Sequence, residues 1–203
     1  MDFNNRKYVQ QRSYEYFFNA IGLSKLKELE EYIKENFEFD YNTGEINPNA
    51  SSKKTTATNL VQQRKSYYIE SDEYIINFED VLNGYIVKAN ENQFDFDLLD
   101  ICQFYYFEYG VEENLKNLDW HMDLANPYPY NERKLSFSLM MNDPSEYEGG
   151  QLEIWIDSNK TIKIPKTQGG LVIFPSFMPH RVTAITKGVR KSIVGFICGR
   201  PFR

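Results

Sequence analysis

The hydrophobic pattern of the chain changes character near its midpoint. In the first half, "SYEYFFNAIG" (13–22) is a dense aromatic run stopped by Gly22, and predicts a first strand. Leu26, Leu29, Ile33 and Phe37 then recur at helical spacing behind Ser24, a suitable N-cap. Residues 42–63, "NTGEINPNASSKKTTATNLVQQ", are polar and poor in bulky apolar groups, which predicts a long mobile loop. A short strand follows around "RKSYYIE". A second amphipathic helix is expected from about 74 to 90, with Ile75, Phe78, Leu82, Tyr85, Ile86 and Ala89 on one side.

From about residue 94 the period shortens to that of strands. "LLDICQFYYFEYG", "DWHMD", "KLSFSLMMN", "GGQLEIWI", "KTIKIPK", "GGLVIFP", "PHRVTAI" and "KSIVGFICG" are short apolar runs. Turn signals separate them at Asn142-Asp143-Pro144, Gly149-Gly150, Gly169-Gly170 and Lys187-Gly188. Regularly spaced strands of this kind indicate a β-sandwich or barrel. The expected fold is α+β, mainly β: two N-terminal helices packed against an antiparallel double sheet of about eight strands. The chain has no internal repeat.

Length and composition narrow this further. At 203 residues the chain suits one domain, 1–203, with 1–93 as helical support and loop and 94–203 as the β core. A net charge of −6 disfavours a nucleic-acid or anionic-membrane partner, because neither polyanion would be attracted to it. No apolar run approaches the roughly 20 residues of a membrane span. The polar start "MDFNNRKYVQQ" lacks a signal-peptide core, so a cytoplasmic location is expected. Cys102 and Cys198 sit in apolar stretches and read as separate buried thiols rather than a disulfide. The sequence assigns no oligomeric state.

The chain contains only two histidines, His121 and His180. If "DWHMD" is a strand, His121 and Asp123 share a face, and Trp120 and Met122 take the other. His180, delivered by the bend after "GGLVIFPSFMP", would complete two imidazoles and one carboxylate. That is the facial triad which leaves positions open on ferrous iron. A His-x-Asp pair alone also fits two polar residues at a strand end. Ten residues after His180 comes Arg190, with Ser192 two further along. A guanidinium can hold a carboxylate bidentately, with a neighbouring hydroxyl adding a hydrogen bond. Taken alone, Arg190 reads better as a solvated cation beside Lys187 and Lys191; the triad spacing is what favours the carboxylate role.

Together, "DWHMD", "LSFSLMMNDPSEYEGGQLEIW" and "GGLVIFPSFMPHRVTAITKGVRKS" resemble the iron(II)- and 2-oxoglutarate-dependent dioxygenases. The resemblance is to the prolyl-4-hydroxylase-like branch and its bacterial PKHD-type hydroxylases, and is close over about residues 100–197. It implies a double-stranded β-helix, or jelly roll, with Fe(II) bound by His121, Asp123 and His180. It implies 2-oxoglutarate held by Arg190 with Ser192 beside it, O2 as the other cosubstrate, and ascorbate as a candidate reductant. Tyr109 matches a tyrosine the family places near the cosubstrate, and reads equally as a core aromatic.

The implied reaction is hydroxylation of an unactivated C–H bond of a prolyl or other peptidyl residue, with release of succinate and CO2. A free amino acid or small metabolite is the other substrate class. Residues 42–63 and "LANPYPYNE" (124–132) are candidates to shape the substrate pocket; Tyr128 and Tyr130 fit a plain surface turn at least as well, and Arg64 reads better as an ordinary surface arginine. Two readings from other classes stand beside this one. A zinc hydrolase could use the same three ligands, and a β-sandwich binding module would keep the fold without the chemistry.

Overall fold

In "QFYYFEYG" alternate aromatic side chains enter two different cores, and this division organises the whole molecule. The computed structural model describes residues 13–37, 39–41, 65–110, 118–124 and 130–200. In chain order the elements are β1 (Glu15–Phe17), α1 (Leu23–Asn36), β2 (Phe39–Tyr41), β3 (Lys65–Tyr68) and α2 (Glu73–Ala89). There follow β4 (Leu98–Gly110), β5 (Leu118–His121), β6 (Arg133–Met140), β7 (Tyr147–Gly149) and β8 (Leu152–Asp157). The chain continues through β9 (Lys160–Lys163), β10 (Leu171–Pro175), β11 (His180–Val182) and β12 (Ile185–Gly199).

Among the described residues the strands form two antiparallel sheets, the two layers of a jelly roll. The larger runs β1-β10-β6-β12-β4-β3-β2, with β7 added on β12, and the smaller runs β5-β11-β8-β9. Because side chains alternate across a strand, each strand of the larger sheet serves both of its faces. Phe104 and Tyr106 of β4, Leu135, Phe137 and Leu139 of β6, and Ile193 and Ile197 of β12 pack towards the helices. Leu26, Leu29 and Ile33 of α1 and Ile75, Phe78, Leu82, Ile86 and Ala89 of α2 meet them there. Tyr105, Phe107, Tyr109, Met140, Val172, Phe174 and Phe196 face the smaller sheet instead. Both helices therefore lie on one sheet, as expected.

Local boundaries differ from the sequence reading for identifiable reasons. The first strand covers only Glu15–Phe17, because Asn19 turns the chain with φ 51°. Helix α1 starts at Leu23, so Ser24 is inside it. Gly22 is the N-cap and makes no side-chain cap bond. Phe37, read as part of the helical stripe, is the extended residue that ends the helix. Helix α2 is capped by Asp72, whose carboxylate accepts from the backbone N–H groups of Tyr74 and Ile75 at 3.0 and 2.9 Å. The 42–63 stretch lies outside the described residues, as do Arg64 and Tyr128.

Cys102 and Cys198 are joined in a disulfide, with Cα atoms 5.8 Å apart, which corrects the expectation of separate thiols. The pairing of β4 with β12 slips near them: Phe196 faces Gln103 while Ile197 faces Ile101. Cys102 is thus the extra residue of a bulge beside Cys198. That proximity spans 96 residues and arises only from strand pairing. No helix among the described residues is long and apolar enough to cross a membrane.

Candidate metal centre and its cavity

His121 ends β5 and His180 begins β11, and the two are direct partners across the smaller sheet. Their ring centroids are 4.2 Å apart. Asp123 is not on the strand that the alternation argument assumed. It lies in the turn after β5, where its backbone N–H donates to Ser176 O at 2.9 Å. The β10–β11 turn, rather than strand pleating, therefore aims the carboxylate. Asp123 Oδ1 stands 3.5 Å from His121 Nε2, and Oδ2 stands 3.3 Å from His180 Nε2. One ligand atom from each residue lies within 4.8 Å of the other two, a grouping that could hold a metal ion.

The hydrogen bonds behind the rings decide their tautomers. His121 Nδ1 lies 2.7 Å from Asp119 O, and His180 Nδ1 lies 3.0 Å from Met178 O. A carbonyl only accepts, so each Nδ1 carries the proton and donates it. Each Nε2 then faces Asp123, and in the neutral ring it offers its lone pair there, the arrangement expected of metal-binding histidines. Burial alone would raise the Asp123 carboxyl. His180, His121 and the Ser136 hydroxyl outweigh it and hold the group well below the usual carboxylate range. Burial, opposed by Asp123, also lowers the His180 imidazole. Two imidazole nitrogens and one ionised oxygen are a fitting donor set for Fe(II).

These residues open on a cavity of about 190 Å³ between the two sheets, lined by both histidines, Asp123, Arg133, Ser138 and Arg190 among aromatic and aliphatic walls. Arg190 is 2% exposed, which removes the solvated-cation reading. Its Nη1 donates to Ser192 Oγ at 2.9 Å and its Nη2 lies 3.5 Å from Met140 Sδ. No carboxylate pairs with it among the described residues. A buried guanidinium facing hydroxyl, thioether and aromatic groups is an unneutralised charge, suited to an anionic ligand. Its flanking lysines are engaged elsewhere, Lys191 with Glu30 at 2.7 Å and Lys187 with Glu148 at 3.3 Å.

Tyr109 is paired with Arg190 in register and lies under it, the guanidinium carbon 5.7 Å from the ring centroid. It lines the cavity and belongs to the inner core at once. Gly150, expected only as a turn residue, adopts φ +61°, and a Cβ there would stand 3.0 Å from Arg190 Cδ and collide with Ile185. Its missing side chain makes room for the arginine. Trp120 points away from the site, its ring 5.9 Å from that of Trp155 with the Arg181 guanidinium 4.6 Å above it. Met122, although half exposed, contributes to the cavity wall.

Sequence reasoning passed over Arg133 and Ser136. Arg133 Nη1 donates to Asp123 O at 3.1 Å, Nη2 bonds Gln103 Oε1, and the guanidinium lies 3.6 Å over the Phe196 ring. It braces the turn that carries Asp123. Ser136 Oγ donates to Asp123 Oδ2 at 2.7 Å. The available signal was polar residues alternating within "RKLSFSLM", a strand in which every residue is buried.

The profile of the 2OG-Fe(II) oxygenase superfamily matches residues 104–198. Among curated proteins, a PKHD-type hydroxylase of Prochlorococcus marinus is 43% identical over 84 residues, 40% of this chain and 37% of that protein. Another, from strain NATL1A of the same species, is 30% identical over 147 residues, 71% of this chain and 64% of that protein. The chain thus spans between about one third and two thirds of these relatives. A Pseudomonas putida prolyl-4-hydroxylase has the same fold, with TM-score 0.68 at 17% identity over 95% of both chains. So does a Trichoplax adhaerens prolyl hydroxylase bound to a hypoxia inducible factor peptide fragment, with TM-score 0.69 at 18% identity over 94% of this chain and 86% of that one. The matched region contains the triad, the buried arginine and most strands of both sheets, so the resemblance to the 2OG-Fe(II) oxygenase superfamily covers the candidate site itself.

Proposed function

We propose that this protein is an Fe(II)- and 2-oxoglutarate-dependent hydroxylase, with His121, Asp123 and His180 holding the metal and Arg190 holding the distal carboxylate of the cosubstrate. The reading rests on one observation above all. Three candidate ligand atoms and a buried arginine without a carboxylate partner among the described residues line the same cavity. Iron bound with 2-oxoglutarate and O2 supplies the oxidising power to convert C–H into C–OH, the cosubstrate leaving as succinate and CO2.

The protein's own residues position and shield. The backbone carbonyls behind His121 and His180 fix the ring orientations, and Ser136 and Ser176 fix the carboxylate. Arg190, with Ser192 beneath it, sets the direction in which a dicarboxylate lies, and Tyr109 forms the wall under the guanidinium. Phe107, Phe137, Phe174 and Phe196 help close the cavity against water, which strengthens each polar contact inside it.

For the substrate we infer a prolyl or other peptidyl side chain. Support comes from apolar and aromatic walls suited to an uncharged side chain, and from the peptide bound by the Trichoplax prolyl hydroxylase of the same fold. Asp123 is the sole carboxylate among the described lining residues, and it faces both histidines. A zinc hydrolase would need a further base to activate water.

The test is an anaerobic visible spectrum of the protein with Fe(II), before and after 2-oxoglutarate, with Asp123→Ala as control. A charge-transfer band that needs metal, cosubstrate and Asp123 is expected. Its absence from folded wild-type protein would remove the reading. Proline-containing peptides are the first substrates to assay, by succinate release and a mass gain of one oxygen.

A further inference from the structure

Three alternate residues of β6 face the inner layer in a row: Ser136, Ser138 and Met140. The outer two have partners that mark the two ends of the proposed ligand site. Ser136 bonds Asp123 at 2.7 Å and Ser176 Oγ at 2.9 Å, and Met140 Sδ touches Arg190 Nη2 at 3.5 Å. Ser138, between them, lines the cavity. Its hydroxyl is buried and has no hydrogen-bond partner among the described residues. The residues paired with it across the sheet are Val194 on β12 and Val172 on β10, whose side chains offer none. A buried hydroxyl without a partner is rare in folded proteins, because its desolvation goes uncompensated.

The strand register gives the hydroxyl a distance scale. Ser192 and Met140 are direct partners, and Arg190 rests its guanidinium on both, so the charge stands at their row. The next row towards the triad is Val194 with Ser138, and the one after is Phe196 with Ser136, beside Asp123. Rows two residues apart are separated by about 6.6 Å. A carboxylate oxygen paired with the guanidinium stands about 2.7–2.9 Å from its nitrogens. On the triad side of Arg190, such a carboxylate falls between the guanidinium row and the Ser138 row.

We propose that Ser138 Oγ donates a hydrogen bond to the distal carboxylate of the 2-oxo dicarboxylate held by Arg190, from the side opposite the guanidinium. This rests on the oxygenase reading above. It assigns to Ser138 a share of the selection for a cosubstrate that carries a second carboxylate. An alanine there would lose that donor while keeping the shape of the wall.

The experiment titrates 2-oxoglutarate into anaerobic Fe(II)-loaded wild-type, Ser138→Ala and Ser138→Thr proteins, following the charge-transfer band. The same titration uses 2-oxobutyrate, which keeps the chelating end and lacks the distal carboxylate. Ser138→Ala is expected to weaken 2-oxoglutarate binding about tenfold, the loss of one hydrogen bond to a charged group. Its affinity for 2-oxobutyrate should be unchanged, and Ser138→Thr, which retains the hydroxyl, should bind 2-oxoglutarate within about twofold of wild type. The melting temperature of ligand-free Ser138→Ala should equal or exceed that of wild type, because an unpartnered hydroxyl has been removed.

Wild-type affinity for 2-oxoglutarate in Ser138→Ala overturns the proposal. So does an equal loss for both ligands, which would place the effect at the chelating end. Absence of any band in the wild type is a different result, and removes the oxygenase reading together with this one.

Discussion

Ser136 Oγ, on β6 of the larger sheet, donates a hydrogen bond to Asp123 Oδ2 at 2.7 Å, in the turn that follows β5 of the smaller sheet. The Asp123 carboxylate is thus held from the opposite layer of the sandwich. Its two oxygens are divided between the histidines, Oδ1 nearer His121 and Oδ2 nearer His180.

Ser136→Ala should therefore leave the protein folded and lower its Fe(II) affinity by about tenfold to a hundredfold, the usual cost of losing a support behind a metal ligand. Anaerobic Fe(II) titration measures this directly. Unchanged affinity would show that the Asp123 backbone bond to Ser176 orients the carboxylate by itself.

Arg190→Ala should weaken 2-oxoglutarate binding by about a hundredfold, as expected for removing one side of a buried charged contact. Fe(II) affinity should stay within about twofold, since Arg190 makes no contact with the triad. Equal losses for metal and cosubstrate would instead mean that the arginine holds the cavity open as a packing element.

The charge network on the helix side predicts a pH dependence. Glu30 of α1 bonds Lys34 and Lys191, each at 2.7 Å, and Lys34 continues to Glu108 at 2.8 Å. Burial would raise the Glu30 carboxyl, but Lys191 and Lys34 outweigh it and hold it below its ordinary value. A depressed folded-state value stabilises the protein above the unfolded carboxyl range, near pH 4–5. That contribution is lost as pH falls through the folded value. Glu30→Gln should thus cost about 1–2 kcal/mol near pH 7, and the gap to wild type should narrow at acid pH, below the unfolded carboxyl range. Urea titrations at both pH values check it, and a gap that persists at low pH would exclude the ionised form as its source.

The Cys102–Cys198 bridge closes a loop of 96 residues in sequence separation and fastens β4 to β12. Replacing both cysteines by serine should lower stability by about 2–4 kcal/mol in denaturant unfolding, with the fold retained. Protein denatured without reductant should show no titratable thiol. Two free thiols in that assay would count against the bridge.

The sequence by itself was sufficient for the layering. The periods of "KLKELEEYI" and "YIINFEDVL" could only be amphipathic helices, and the alternation in "QFYYFEYG" requires a strand with two buried faces. The scarcity of histidine made His121, Asp123 and His180 conspicuous, spacing after His180 singled out Arg190, and the resemblance in "DPSEYEGGQL" and "HRVTAITKGVR" gave it a role. These are local signals, carried by spacing within one segment. What the tertiary structure alone decided was long-range. Asp123 owes its aim to a turn more than fifty residues away, and Cys102 meets Cys198 through a register slip between strands. The roles of Ser136, Ser138 and Arg133 became visible only once β6 lay between β10 and β12. A periodic pattern states which face is buried. Which partners share that burial is fixed by strand register, a property of pairs of segments that no single segment encodes.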